Sequence, residues 1–190
     1  MDHHHEVDMR SPKKAEPTYF FSVVALLRIA EQFNINKVKF LVVGGLAVAA
    51  HGYTRLTADV DLVVDFGEGN EWRAVHALKS LGYKPRIPEP IESFASQSNR
   101  DTWVRDKDML VFTVVNGTSE LDLFLTHPFD FDTAYAAAMW KTVDERGQVN
   151  LPFVDFANLI AMKRAAARPK DLNDIENLLA IRTEQERPQR

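Results

Sequence analysis

Residues 38–64 read VKFLVVGGLAVAAHGYTRLTADVDLVV, and they set the architecture. Val38–Val43 is a short, almost continuous apolar run, which predicts a buried strand that ends at Gly44-Gly45. The small apolar residues from Leu46 to His51 predict a short helix packed behind this turn. From Ala58 to Phe66 apolar residues alternate with aspartates, which predicts a second strand with one acidic face.

The Gly44-Gly45 pair carries no side chains at the point where the first strand gives way to the helix. Backbone N–H groups can therefore approach an anion, and the start of a helix adds a favourable dipole. Turns of this kind are common, so the pair by itself indicates only a candidate phosphate contact.

Asp59 and Asp61 stand two positions apart on the second strand, which places their carboxylates on one face, roughly 6–7 Å apart. Two carboxylates this close repel each other unless a cation lies between them. Such hard oxygen ligands suit Mg²⁺, which completes its coordination with water and substrate phosphates. The alternative is an ordinary solvent-exposed strand face, but the predicted strands look central, and central strands rarely carry acids without a role.

Asp122 lies inside another apolar strand, Leu121-Asp122-Leu123. This strand is the second arm of a hairpin that the Asn116-Gly117 turn signal predicts. Because the flanking leucines face the core, Asp122 points to the opposite face. If this strand lies beside Ala58–Phe66, a third carboxylate joins the pair, and the site can hold two metal ions that clamp a phosphoryl displacement.

Composition and length bound the remaining possibilities. The chain has 190 residues, no cysteine and a formal net charge of −4, so it has neither thiolate chemistry nor a global electrostatic footprint for nucleic acid. Its apolar stretches are shorter than the ~18 residues that span a bilayer, which predicts no membrane partner and a cytoplasmic location. We expect a flexible tail at 1–17, a single domain at 18–182 and a charged tail at 183–190.

The fold expected is a mixed α+β domain, with a short central sheet that carries the acids and a helical C-terminal lobe. In that lobe Asp155 and Asp171 are predicted helix caps. The interval between them has a basic surplus, from Lys163, Arg164, Arg168 and Lys170, that could meet a triphosphate or form an ordinary solvated helix face. Arg55 and Thr57 precede the acid pair, where they could position phosphate or only satisfy the loop.

These motifs together resemble the signature of the polymerase-β-type nucleotidyltransferase superfamily: Gly44-Gly45, thirteen residues, Asp59-Val60-Asp61-Leu62, and later Leu121-Asp122-Leu123. More narrowly, Val43–Val48 with Arg55-Leu56-Thr57 is similar to the AbiEii-like and related uncharacterised bacterial nucleotidyltransferases. Lys163 followed by Arg168-Pro169-Lys170-Asp171 and Asp174 also matches a helix pair of that group. The likeness covers roughly residues 38 to 181.

The resemblance implies a nucleotidyltransferase-like mixed sheet and a role for each matched residue. Gly44 and Gly45 would cradle the triphosphate, although the superfamily often has serine where this chain has Gly45. The acids Asp59, Asp61 and Asp122 would bind Mg²⁺ or Mn²⁺. Lys163 would neutralise nucleotide phosphates, with Arg168 or Lys170 assisting.

The activity implied is transfer of a nucleoside monophosphate from an NTP to a hydroxyl of RNA or protein. Many members of the narrower group are toxins of toxin–antitoxin systems, so an antitoxin partner is also expected. Two alternatives stay open. One is a catalytically degenerate module that binds a partner or nucleotide, and the other is an enzyme that modifies a small molecule such as an antibiotic.

Overall fold

The strands form one seven-stranded mixed sheet in the computed structural model, which describes residues 17–117, 119–142 and 149–187. Their order across the sheet is β3-β4-β5-β2-β1-β7-β6, with parallel pairing of β2 to β5 and of β1 to β7. The strands are β1 (Phe40–Val42), β2 (Asp59–Val64), β3 (Lys84–Pro85), β4 (Val111–Asn116), β5 (Ser119–Phe124), β6 (Met139–Thr142) and β7 (Asn150–Phe153).

The helices pack around this sheet and close the C-terminal part of the molecule. A 3₁₀ helix at Ile91–Ala95 precedes the fourth α-helix. The α-helices are α1 (Pro17–Ile35), α2 (Gly44–Ala50), α3 (Asn70–Ser80), α4 (Gln97–Lys107), α5 (Phe131–Ala136), α6 (Phe156–Ala166) and α7 (Pro169–Gln185).

The core lies between α1 and the central strands, because each presents a face of apolar residues to the other. All three residues of β1 are buried, β5 buries Leu121 and Leu123, and β2 buries Val60 and 62–64 while Asp59 and Asp61 stay partly exposed. The buried face of α1 recurs at helical spacing and comprises Ala25, Leu26, Ile29, Ala30 and Phe33. The faces of β2 and β5 that carry the acids are therefore turned away from this core.

The predicted hairpin is confirmed, with its turn one residue later than the Asn-Gly signal indicates. Asn116 on β4 pairs with Ser119 on β5, so the two loop residues are 117 and 118. Gly117 has φ +59, a left-handed conformation that glycine adopts at no steric cost. Residue 118 lies outside the described residues.

The two C-terminal helices, α6 and α7, have different residues at their N-caps. Asp155 caps α6 as predicted, accepting a 3.1 Å hydrogen bond from the Asn158 N–H. The prediction that Asp171 caps α7 is wrong, because Arg168 occupies the N-cap position and Pro169 the first turn. Asp171 lies inside the helix and is fully buried.

The predicted tails at the two ends of the chain compare with the structure in different ways. Residues 1–16 of the predicted N-terminal tail lie outside the described residues, and Pro17 begins α1. At the other end α7 runs to Gln185, so the segment expected as a charged tail starts inside a helix. Within the described ranges, every helix is too short or too polar to cross a bilayer.

Candidate active site

Three aspartates lie on one face of the paired strands β2 and β5. The strands run parallel, and Asp61 is the direct register partner of Asp122, while Asp59 is that of Glu120. Opposite residues of neighbouring strands share a face and lie about 4.8 Å apart. The two strands lie side by side, which is the condition on which the third carboxylate joins the pair. We call Asp59, Asp61 and Asp122 the acid wall.

The Gly44-Gly45 turn is pressed against this wall. Gly44 has φ +63, and a Cβ built on it would overlap the Asp61 carboxylate. The Gly45 N–H donates a hydrogen bond to the Asp61 carboxylate. This turn was expected to present free N–H groups to a phosphate, but here the N–H of Gly45 is engaged by the acid wall itself.

Two members of the acid wall, Asp61 and Asp122, have raised pKa values. Burial, the charge of Asp122 and the charge of Asp59 raise the pKa of Asp61 to about 6, although Lys163 and the Gly45 N–H oppose the shift. Burial also raises the pKa of Asp122, against a hydrogen bond from Thr113. The Thr113 hydroxyl donates that bond to Oδ1 of Asp122 at 2.5 Å, from the neighbouring strand β4.

The donor set of the acid wall fits a magnesium ion shared with a substrate. In the part of the chain that the structure describes, no three histidine, aspartate or glutamate side chains are grouped so that they could hold a metal by themselves. Mg²⁺ needs no such group, because one or two carboxylates, waters and substrate phosphates complete its coordination. Asp59 and Asp61, with Asp122 beside them, supply those carboxylates.

A second cluster of charges joins the C-terminal helices to the loop before β2. Lys163 on α6 donates to Asp171 Oδ1 at 2.9 Å and lies 2.8 Å from Asp174 Oδ2, and both aspartates are 0% exposed. Arg55 grips Asp174 with two hydrogen bonds, of 2.5 Å and 2.8 Å. Arg168 donates to Asp171 at 2.6 Å. We call these five residues the ionic hub.

The ionic hub holds its aspartates firmly in the charged form. Although burial opposes it, hydrogen bonds from Arg168 and Lys163 lower the pKa of Asp171 to about 2. The pKa of Asp174 is lowered in the same way, by hydrogen bonds from Arg55 and Lys163 that outweigh its burial. The hub thus combines three cations with two carboxylates and keeps one net positive charge.

Both charge clusters face one cavity of about 590 Å³. Arg164, one of the four basic residues that could meet a triphosphate, is not among its lining residues. Ten other residues predicted for the site do line it: Gly44, Gly45, Arg55, Thr57, Asp59, Asp61, Asp122, Lys163, Arg168 and Lys170. The volume suits one ligand of nucleotide size. Apolar side chains complete the lining, chiefly Leu110, Val111, Phe124, Pro128, Leu159 and Met162.

The structure brings these predicted residues to one cavity, and the basic residues among them contact carboxylates of the protein. Arg55, Lys163 and Arg168, expected to meet phosphate, each bind a carboxylate of the hub. Thr57 lies against Gly45, where a Cβ on the glycine would overlap the Thr57 Oγ1, so Thr57 packs the loop onto the turn. Lys170 is exposed and lines the same cavity.

Sequence reasoning missed three contributors to the site. Asp171 and Asp174 look like a cap and a surface acid, because charged residues on a helix usually face water. Their signal is the i, i+3 spacing, which puts both carboxylates on one side of α7. Thr113 has a weaker signal, its place opposite Asp122 across the hairpin.

Solved structures with a similar fold are nucleotidyltransferase structures. The solution structure of the antibiotic-resistance factor ANT(2'')-Ia gives a TM-score of 0.56 at 13% identity, over 85% of this chain and 84% of that one. A crystal structure of ANT(2'')-Ia in complex with adenylyl-2''-tobramycin gives 0.53 at 13%, over 84% and 88%. An antigenic nucleotidyltransferase-like protein from Paracoccidioides brasiliensis gives 0.53 at 16%, over 87% and 79%.

At such low identity the likeness establishes the fold, which is nucleotidyltransferase-like, and the predicted fold class is confirmed. No protein-family model and no curated protein matches the chain.

Proposed function

We propose that the protein is a metal-dependent nucleotidyltransferase that moves a nucleoside monophosphate from an NTP to a hydroxyl group. The observation that carries the proposal is the register of Asp61 with Asp122, which gathers three carboxylates on one wall of a nucleotide-sized cavity. The nucleotidyltransferase-like fold of the chain supports it.

Charge balance indicates why such a site would need a divalent cation. Three carboxylates line one wall, whereas the ionic hub offers one net positive charge and Lys170 another. A bare triphosphate would therefore meet net negative charge, which disfavours its binding. Asp59, Asp61 and Asp122 would hold Mg²⁺ or Mn²⁺, which when bound neutralises phosphate oxygens and polarises the phosphoryl group.

The residues of the chain divide the remaining work. The acceptor oxygen attacks the α-phosphorus, the bond to the bridging oxygen of the β-phosphate breaks, and pyrophosphate leaves with that electron pair. The acceptor's proton passes to the carboxylate of Asp122, which lies beside Asp61 on the acid wall. Arg168 and Lys170 lie where they can stabilise charge on the phosphates.

We propose RNA or protein as the acceptor class, and a toxin with an antitoxin partner as the biological setting, on the strength of the sequence resemblance. A small-molecule acceptor is the second candidate, favoured by one specific observation. One of the structures with a similar fold is a complex with adenylyl-2''-tobramycin. A degenerate module that binds nucleotide without catalysis is the third, and the presence of all three carboxylates argues against it.

The test is incubation of the protein with each labelled NTP, with Mg²⁺ or Mn²⁺ and with one acceptor preparation at a time. The preparations are total cellular RNA, soluble protein and a panel of aminoglycosides, and an Asp61→Asn variant is the matched control. Label on an acceptor with the wild type but not with the variant supports transfer and names donor and acceptor. If no preparation is labelled, calorimetry with Mg²⁺ and each NTP separates a degenerate binder, which gives heat, from a protein without a nucleotide site.

A further inference from the structure

Asp174 connects the two halves of the cavity wall without lining the cavity itself. Its Oδ1 and Oδ2 accept hydrogen bonds from Nε and Nη2 of Arg55, in the loop before β2. Its Oδ2 also lies 2.8 Å from Nζ of Lys163, on α6. One buried carboxylate thus ties the strand β2 loop and α6 to α7.

The two cations that Asp174 holds are poorly placed to serve as phosphate ligands. The Lys163 side chain is 6% exposed, and its ammonium group already has two carboxylate partners. Arg55 donates hydrogen bonds from Nε and Nη2 to Asp174 and from Nη1 to the Leu56 carbonyl, the last at 3.0 Å. A phosphate reaching either cation would compete with buried, charge-assisted hydrogen bonds, which are the strong ones.

Two other cations on the same cavity are freer. Arg168 is 59% exposed on its side chain and binds Asp171 with one edge of its guanidinium. Lys170 is exposed and stands two residues further along the chain. Both line the cavity with the acid wall.

We propose that Asp174 is a positioning residue: it fixes Arg55 and Lys163 as struts between the sheet and the C-terminal helices, and leaves phosphate contact to Arg168 and Lys170. This inference rests on the proposed function. It differs from the resemblance, which makes Lys163 the phosphate-neutralising residue. Asp174 acts through the placement of α6 and of the loop that carries Arg55 and Thr57, both of which line the cavity.

The proposal predicts opposite effects on binding and on turnover. Asp174→Asn removes a negative charge and releases two cations beside the cavity, so the affinity for a polyphosphate stays the same or increases. The loop that carries Arg55 and the helix α6 lose their fixed positions around the cavity, so transfer at saturating NTP falls about tenfold or more. Lys170→Ala is the comparison for a lost phosphate contact, and it weakens polyphosphate binding about threefold to tenfold.

The experiment measures binding of inorganic tripolyphosphate with Mg²⁺ by calorimetry, and kcat and KM for the labelled transfer. The variants are Asp174→Asn, Lys170→Ala and the control Glu176→Gln, an exposed acid two positions along the same helix. Lower kcat with undiminished tripolyphosphate affinity in Asp174→Asn supports the proposal. Loss of tripolyphosphate affinity in that variant matching Lys170→Ala, or an unchanged kcat, overturns it.

Two further arms keep these outcomes interpretable. If Asp174→Asn fails to fold, the double variant Arg55→Gln with Asp174→Asn removes both charges of one pair, which buried pairs tolerate better than loss of one partner. Its kcat is expected to be as low as that of Arg55→Gln or lower, because Lys163 also loses a partner, and a wild-type kcat in the double variant would overturn the positioning role. A wild-type protein that neither binds Mg²⁺-tripolyphosphate nor transfers label refutes the proposed function, whereas the variant outcomes above refute the positioning role alone.

Discussion

Asp61 and Asp122 are direct register partners on the parallel strands β2 and β5. The chain between Val64, at the end of β2, and Ser119, at the start of β5, forms α3, β3, the 3₁₀ helix, α4 and β4. A shift of one residue in that register would turn Asp122 into the core and Leu121 onto the acid wall. The burial of Leu121 and Leu123 therefore fixes the carboxylate on the same face as Asp61. The packing of these leucines in the core therefore sets the position of the Asp122 carboxylate relative to Asp61.

Asp61→Asn is expected to lower the rate of nucleotidyl transfer by more than about 100-fold, because the acid wall loses the carboxylate between Asp59 and Asp122. The side chain keeps its shape, so cooperative unfolding is retained. Labelled NTP with the acceptor found above measures the rate. Asp65→Asn is the control, since Asp65 lies beyond the end of β2, and it should transfer at the wild-type rate. Wild-type activity in Asp61→Asn would refute the mechanism.

The stability of the metal-free protein should depend on pH through Asp61. Its pKa is raised to about 6 in the folded state from an ordinary value of 3.8, so the folded state holds the proton more tightly than the unfolded state. The ionised form therefore costs stability, fully above pH 6 and not at all below about pH 4. With EDTA present, Asp61→Asn should be about 1–3 kcal/mol more stable than the wild type at pH 7.5.

Urea unfolding of both proteins at pH 5 and pH 7.5 measures this difference. The gap between Asp61→Asn and the wild type should shrink at pH 5, because the wild-type carboxyl is then largely protonated. Added Mg²⁺ should stabilise the wild type at pH 7.5 and not the variant, since only the wild type retains the full acid wall. A gap that is equal at both pH values would show that Asp61 ionises normally.

The acid wall could be predicted from the sequence because strand periodicity assigns faces. Alternation places Asp59 and Asp61 on one side of β2, and the leucines flanking Asp122 place it opposite the core. The sequence alone did not establish that β2 and β5 pair, and the third carboxylate joins the other two only if they do. The parallel contact of β2 with β5 is set by how the intervening helices pack, which no local pattern contains.

The ionic hub could not be predicted, because its energetics are not local. Asp174 is separated from Arg55 by 119 positions, and its burial becomes tolerable only once two cations are folded onto it. On the helix alone, Asp171 and Asp174 have the spacing of ordinary solvated acids. The ion pairs of Lys163 are hidden from the sequence for the same reason, since its two carboxylate partners lie on the following helix.

Gly44→Ala is expected to abolish transfer and to destabilise the fold by about 1–3 kcal/mol. A methyl group there would overlap the Asp61 carboxylate, and φ +63 is strained for alanine. The Asp61 side chain must then leave the acid wall. Gly67→Ala is the matched control, because a Cβ at Gly67 meets no atom within 4 Å. Thermal unfolding and the labelled transfer assay compare the two, and an active Gly44→Ala would show that Asp61 need not stay where the structure places it.

Thr113→Val tests the hydroxyl that the sequence did not reveal. The Thr113 hydroxyl donates to Asp122 and opposes the burial that raises the pKa of this carboxyl, so its removal should raise that pKa further. If ionised Asp122 accepts the acceptor's proton, the acid limb of the pH profile of kcat/KM moves to higher pH. Transfer near pH 6 then falls about tenfold, whereas transfer at the alkaline plateau changes less. Thr183→Val, on the exposed side of α7, should leave the profile in place. An acid limb that stays where the wild type has it would remove Asp122 from the role of base and leave it as a cation ligand only.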